Sequence, residues 1–546
     1  MKKPEIVCCG VPFGTDDEVQ ALKNLKDCGF TAVQIYVYWR RIEPDKRGEF
    51  DWSYYDRMVK LIQDAGLKWV PFLIFGPRMA FPEWWLKDPH HCGMTCLEHG
   101  VEGGVESIWN PHWSTEVTRL LEAFAEHYLP WNVIESIQPG ICGDYGEAIY
   151  PAIGNWPGMY HTHYGYWCMD KYAIASFRSE TEKKYGDIDS LNKAWRVNYK
   201  SFDEVVPFKR HKSPSRTALF DMMMWYKSSM TVYDEFWMKE CQRIFKGVPV
   251  YMCTGGAEEP CLGADFAEQA RASAKFGGGI RLTNEGNLFY ENYADTVHCE
   301  TACKFYGSYI GLEPVGGMIP RGVTARIFGS AAYGNRQIFH YYGNLYDGGD
   351  EGAKRVKKYL DLIGERETKE NVAVFLPLDM IWLEGSEVPE NIKLALNYVR
   401  NQYETGVISE TMIDDLMDDD VGDQRVLLDN LHRTREQWFD NCVRDAHGIG
   451  KEITAAEVEV ILSKYKRISL NWKPLMDYPL AEGYTLRDYL NEKDVRVSAS
   501  ELRGIYSDYL KEQDAKDYMN YSHYRMLDIN GDGVEDLLLK GEDDSF

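Results

Sequence analysis

A chain of 546 residues and 63.0 kDa is too long for one ordinary hydrophobic core, so one large domain of about 350 residues with one or two smaller units is expected. Hydrophobic residues at 44% place it among globular proteins, and no run reaches the roughly 18 apolar residues of a membrane span. A net charge of −24 and a pI near 5.1 argue against nucleic acid and anionic membranes as partners, since the mean surface field repels phosphate, and favour a neutral substrate.

Thirteen cysteines, an odd number scattered through predicted strands and helices, read as reduced thiols. The N-terminus MKKPEIVCCGVPFG lacks the unbroken apolar stretch of a signal peptide, so the chain as written is expected in the cytoplasm, or outside the cell had a leader been removed. Sixteen Trp and 36 Tyr exceed what a core needs, and such rings suit clefts where the C–H faces of a sugar pack on them.

In chain order, residues 4–13 read as a buried strand, and Asp16-Asp17 opens a helix stopped by glycine. TAVQIYVYW (31–39) is a second strand. Trp52 to Ala65 is an amphipathic helix, and LKWVPFLIFG (67–76) is a third strand apolar on both faces, as buried parallel strands are. Further strands are predicted at 133–141, 248–254, 279–286, 308–314 and 336–343, with long helical stretches between them. Eight strands alternating with helices by about residue 343 predict an α/β protein of the (β/α)8 TIM-barrel type over 1–365. NVAVFL (371–376) and a helix from Pro389 to Gly406 begin a smaller α/β to helical domain over 366–495, charged and mainly helical from about Asp414. Residues 496–546 form a C-terminal region with a hairpin.

Glycosidic bonds are cut by two carboxyl groups, and in a barrel these sit at the C-terminal strand ends, where loops form the active face. Glu147 follows the fourth predicted strand in QPGICGDYGEAIYPA. Glu313 ends the seventh in YIGLEPVGG. Around them the expected substrate contacts are Trp39, Arg41 and Glu43 after strand two, Trp84 and Trp85 after strand three, and Asn110, Asp144 and Tyr145 before the acid. Asn284 and Glu285 after strand six and His340 and Tyr342 near strand eight complete the set. Arg41 and Glu43 read equally well as a structural ion pair at the mouth.

Two stretches carry a family resemblance. YWRRIEPDKRGEFDWSYYDRMVKLIQDAGLKWVPFL (38–73) has the pattern W-x-x-x-E-P…G-x-F-D-W, and FRSETEKKYGDIDSLNKAWRVNYKSFDEVVP (177–207) has Tyr-Gly, L-N-x-A-W and S-F-D-E-V in succession. Both are similar to the family-42 glycoside hydrolases, the β-galactosidase family of the large barrel clan, over roughly 5–345 and more weakly 370–415. The resemblance implies a retaining exo-β-glycosidase with Glu147 as acid/base and Glu313 as nucleophile, acting on terminal β-galactosides or related β-glycosides. It also implies a flavodoxin-like oligomerisation domain, hence a homo-oligomer, and no cofactor for catalysis.

The clan carries Asn directly before the acid/base, whereas Gly146 stands here, so a β-mannoside is also compatible. G-D-Y-G-E-A-I-Y-P is closer to the G-x-x-G-E-L-x-Y-P of family-14 β-amylases, which invert. An inverting hydrolase of α-glucans is therefore the rival, and a carbohydrate-binding barrel without catalysis the third reading.

Two segments suggest metals. Some family-42 enzymes hold a structural zinc in a cysteine cluster near HHCGMTC (90–96), but Cys92 and Cys96 supply two thiols where a closed site needs four ligands. Cys142 or Cys168 could complete it in space, and free thiols are the expectation. DINGDGVED (528–536) sets Asp528, Asn530, Asp532 and Asp536 at the alternate positions of a calcium loop, with Leu539 where the bidentate glutamate belongs. Structural calcium is the expectation there, on a hairpin of YRMLDI and EDLLL.

Overall fold

Period-two alternation decides how the strands face. In the computed structural model Val33, Ile35 and Val37 of the second strand enter the main core under the helices, while Tyr36 and Tyr38 turn into a separate inner cluster with Phe72, Ile74 and Cys253. The structure describes residues 3–360 apart from 153–159, 257, 288 and 315–318. It also describes 372–376, 378–384, 405–412, 415, 426–427, 484–488, 493–497, 524–527 and 536–539.

Eight parallel strands, β1 (Glu5–Cys9), β2 (Ala32–Tyr38), β3 (Lys68–Ile74), β4 (Gln138–Gly140), β5 (Tyr251–Gly255), β6 (Gly279–Glu285), β7 (Tyr309–Pro314) and β8 (Gln337–Tyr341), run in the order β4-β3-β2-β1-β8-β7-β6-β5. The ends meet where Ile137 donates to the Pro249 carbonyl at 2.8 Å and accepts from Tyr251 N at 2.9 Å. The sheet thus closes into the expected (β/α)8 barrel. β4 is shorter than its predicted 133–141, and Pro139 within it has no N–H for a ladder; Ile134 and Ile137 add only single bridges.

Each helix is set by local chemistry. Asn110 caps α1 (Pro111–Tyr128) by accepting from His112 N, Asp170 caps α2 (Lys171–Tyr185) through Tyr172 N and Ala173 N, and Ser215 caps α3 (Arg216–Ile244) through Ala218 N. No helix among the described residues is long and apolar enough to cross a membrane.

Beyond the barrel, Val372–Leu376 lies between Thr405–Ser409 and Val426–Leu427 in a three-stranded parallel sheet. This piece meets the barrel at Lys227, nearly buried on α3, which pairs with Asp265 at 2.8 Å and Asp379 at 3.2 Å. The stretch read as mainly helical contains an antiparallel hairpin, Tyr484–Asp488 with Lys493–Val497. The helix expected from Pro389 to Gly406 lies outside the described residues except at its end, where Thr405 and Gly406 belong to a strand. Tyr524–Leu527 and Asp536–Leu539 pair antiparallel; Asp528, Asn530 and Asp532 between them, and the Asp536 side chain, also lie outside the described residues.

Candidate active site

Glu313 projects from the C-terminal end of β7 into the barrel, almost fully buried. Its Oε1 accepts from Tyr341 Oη at 3.1 Å, with Cys9 Sγ at 3.8 Å, and its Oε2 accepts from Thr283 Oγ1 at 3.1 Å. The Arg281 guanidinium is ion-paired with the same carboxylate. Arg281 is completely buried inside the barrel, with its Cζ 4.8 Å from the Phe72 ring centre and 5.6 Å from that of Phe339, and its Nε donates to Cys253 Sγ at 3.1 Å. A cation in that setting needs a fixed anion, and Glu313 is it.

Glu147 sits on the loop after β4. The loop is held where Ile141 N donates to the Gly146 carbonyl at 2.8 Å and Ala148 N to the Cys253 carbonyl at 2.7 Å. Gly146 has φ +113°, and a Cβ there would stand 3.0 Å from both Gly140 Cα and the Phe72 ring. An Asn before Glu147 would therefore be strained at this φ and would have to push both neighbours back by a few tenths of an ångström. Burial holds the Glu147 carboxyl above the usual carboxylate range; local backbone donors and the Arg281 charge oppose the rise, and Asp144 adds to it. Arg281 and Tyr341 thus feel both carboxyl groups, each as a direct partner of Glu313 and each through the charge of Glu147. One acid is biased toward its neutral form, and the other is held against a cation.

The remaining predicted residues divide by burial. Trp39 is fully buried among Phe81, Trp84, Trp85 and Trp113, with Nε1 donating to Glu43 Oε2 at 2.7 Å. Glu43 is also fully buried, and its partner is Arg119 at 2.7 Å, not Arg41, which lies exposed over the Tyr54 ring at 4.8 Å. Trp85 Nε1 and Asn110 Nδ2 both donate to the buried Glu106, at 3.0 and 2.9 Å. With no face open to a pocket, Trp39, Glu43, Trp85 and Asn110 support the mouth and do not offer a sugar platform. Trp84, half-buried, donates from Nε1 to the Glu43 carbonyl at 3.0 Å.

Asp144 braces the acid loop, accepting from Ala152 N and Thr162 Oγ1, both at 3.0 Å. Tyr145 packs on the inner cluster beside Phe72. Asn284 and Glu285 close β6, and their side chains lie outside the described residues. His340 faces out of the barrel, fully buried, accepting at Nδ1 from Arg326 Nη1 at 3.2 Å; burial first and Arg326 second hold it well below the usual imidazole range. Tyr342 opens a short helix and packs on Tyr346. The strand-eight residue that reaches Glu313 is Tyr341, between the two expected ones. Arg281, Thr283 and Tyr341, which all meet Glu313, are site residues that sequence reasoning missed. A lone arginine inside the apolar strand GIRLTNE was the one available signal.

The sequence profile of glycosyl hydrolase family 14 matches residues 14–77. The beta/alpha-amylase of Paenibacillus polymyxa is 26% identical over 229 residues, 38% of this chain and 19% of that protein. The thermophilic beta-amylase of Thermoanaerobacterium thermosulfurigenes is 27% identical over 233 residues, 38% of this chain and 41% of that protein. The chain therefore spans less than half the length of these curated relatives. Among solved structures, the catalytic domain of the Paenibacillus polymyxa beta-amylase superposes with a TM-score of 0.56 at 18% identity, covering 65% of this chain and 97% of that one. The family-42 exo-carrageenase of Bacteroides ovatus gives 0.61 at 12% identity, covering 96% and 74%. At such identities the structures speak to the fold alone. In sequence and fold together, the chain resembles both the family-14 and the family-42 glycoside hydrolases.

Proposed function

We propose that this chain is a glycoside hydrolase that cleaves terminal β-galactosides or related β-glycosides, β-mannosides included, with retention. Glu147 protonates the leaving oxygen while Glu313 attacks the anomeric carbon; Glu147 then takes a proton from the water that hydrolyses the glycosyl-Glu313 ester. The observation that carries this reading is the unequal setting of the two carboxyls: burial favours protonated Glu147, and Arg281 favours ionised Glu313. Neither step calls on a cofactor. Tyr341 and Thr283 hold the Glu313 oxygens in place, so the nucleophile has little freedom to lose on attack.

Azide rescue tests the roles. Glu313→Ala supplied with azide should release the α-glycosyl azide. Glu147→Ala, given a dinitrophenyl glycoside, should release the β-glycosyl azide. Failure of both rescues, with an inverted sugar released first by the wild type, would replace retention by inversion.

Inversion on α-glucans is the second reading, and Gly146 favours it. Gly146, at a φ that strains Asn, leaves out the amide that the retaining clan places beside the acid, and the amylases are the sequence relatives. In that reading Glu313 activates water and need not touch the sugar carbon.

A further inference from the structure

We propose that Cys96, His99, His161 and His163 form a zinc site that clamps the acid loop to its neighbour. Their donor atoms all lie within 4.8 Å of one another. Zinc bonds of about 2.3 Å to sulfur and about 2.0–2.1 Å to nitrogen set tetrahedral edges of about 3.6 Å for S···N and about 3.3 Å for N···N. The corresponding separations are 3.6 Å from Cys96 Sγ to His99 Nδ1, 3.3 Å from Cys96 Sγ to His161 Nε2, and 3.2 Å from His99 Nδ1 to His163 Nε2. His163 Nδ1 lies 2.8 Å from the Tyr164 carbonyl, which fixes it as the protonated nitrogen and leaves the Nε2 lone pair for the metal. One thiolate and three imidazoles make a closed four-ligand set, and Cys96 is buried beneath the histidines. The cysteine cluster considered from sequence does not assemble; the missing pair of ligands is histidine, 65 and 67 residues downstream of Cys96.

The site joins two segments. Cys96 and His99 belong to the turn between Gly93–Thr95 and Glu102–Glu106, and His161 and His163 to the segment after the acid. Leu97 N donates to the Tyr166 carbonyl at 2.7 Å and Met169 N to the Thr95 carbonyl at 2.9 Å, so the two already lie side by side. Thr162, between the two histidine ligands, donates to Asp144, three residues before Glu147. The metal therefore positions the acid loop through Thr162 and Asp144 and takes no part in bond cleavage. Metal analysis of the purified chain should find one zinc per chain. Replacement by cobalt should give a thiolate-to-cobalt charge-transfer band together with tetrahedral visible bands. Cys96→Ser should lose the charge-transfer band and His163→Ala most of the bound metal, whereas Cys92→Ser, at a thiol outside the cluster, should keep both. Absence of stoichiometric metal, or equal loss in Cys92→Ser and Cys96→Ser, would overturn the site.

A second, independent observation concerns the substrate and rests on the glycosidase reading. A recess of about 330 Å³ lies beside Tyr341, the residue that binds Glu313, and is lined by Tyr36, Tyr38, Arg40 and Arg41 with no acidic residue. Arg40 lies over the Tyr38 ring and Arg41 over the Tyr54 ring, and neither forms an ion pair with a carboxylate among the described residues, in a chain of net charge −24. We infer that the recess receives an anionic substituent of the glycan, a sulfate ester or a uronic carboxylate, against the neutral substrate that the mean charge suggests. Calorimetry with a neutral galacto-oligosaccharide, its sulfated form and its uronic form tests this. One anionic form should bind at least tenfold tighter than the neutral one, and Arg40→Ala/Arg41→Ala should erase that margin. Equal binding of all three overturns the anionic subsite alone; no binding of any overturns the glycosidase reading with it.

Discussion

Arg281→Met separates the two carboxyl groups most directly, because it removes the cation they share and keeps an apolar side chain between Phe72 and Phe339. In the proposed mechanism Glu313 works ionised, so activity is present above its titration and lost as pH falls through it. Glu147 works protonated, so activity is lost as pH rises through its raised titration. A guanidinium in contact lowers a carboxyl by about 1–3 pH units, each worth about 1.4 kcal/mol. Its loss should move the acid limb of the kcat/KM profile up by that amount. The basic limb should also rise, but less: for Glu147 the Arg281 charge ranks behind burial and a backbone donor. The bell should therefore narrow and shift alkaline, read with a nitrophenyl glycoside across the pH range. Leaving Glu313 buried without its counter-charge should also destabilise the fold, by up to about 3–5 kcal/mol less what the Tyr341 and Thr283 hydroxyls retain, read by denaturant unfolding, while Arg281→Lys, which keeps the charge, should restore most of the acid limb. A folded Arg281→Met protein with an unmoved acid limb would refute the pairing of Arg281 with Glu313 as an electrostatic device.

Gly146→Ala forces a Cβ against Gly140 and the Phe72 ring at φ +113°, so it should cost about 1–3 kcal/mol and lower kcat by displacing Glu147; a variant with unchanged melting and rate would contradict the tight path drawn for this loop. Glu43→Gln removes one of the two anions of Arg119, which keeps Glu116 at 2.8 Å, and weakens a charge-assisted hydrogen bond, so it should lose about 1.5–3 kcal/mol in urea unfolding with little change in KM. If the 528–536 segment binds calcium, adding calcium to chelator-treated protein raises the melting temperature and leaves kcat alone; a flat response means the loop is empty.

Strand and helix periodicity made the barrel legible, because β3 is apolar from Trp69 to Ile74 and β2 and β7 are interrupted only at Gln34 and Glu313, a pattern that suits a parallel strand covered on both faces. The same logic put Glu147 and Glu313 at strand ends. What could not be read was direction and partnership. His340 and Tyr341 are adjacent, yet alternation sends one to the helices and the other to Glu313, and a register error of one residue exchanges them. Trp39, Trp85 and Asn110 have the residue types of a sugar site, but their polar atoms are used up on Glu43 and Glu106.

Arg281 was hidden for a different physical reason. An arginine in a strand is ordinarily placed toward water, because burying its charge alone costs several kcal/mol. That cost is offset only when a carboxylate three-dimensionally adjacent, here one strand away on β7, supplies the counter-charge. The same holds for the four zinc ligands, whose two halves lie on loops that adjoin only once the barrel has closed. Residues whose chemistry is completed by a neighbour on another strand carry no local signature. A buried cation in an otherwise apolar barrel strand is thus itself evidence of a facing acid, and a search of β-strand sequences for such cations would find sites of this kind where catalytic glutamates alone are ambiguous.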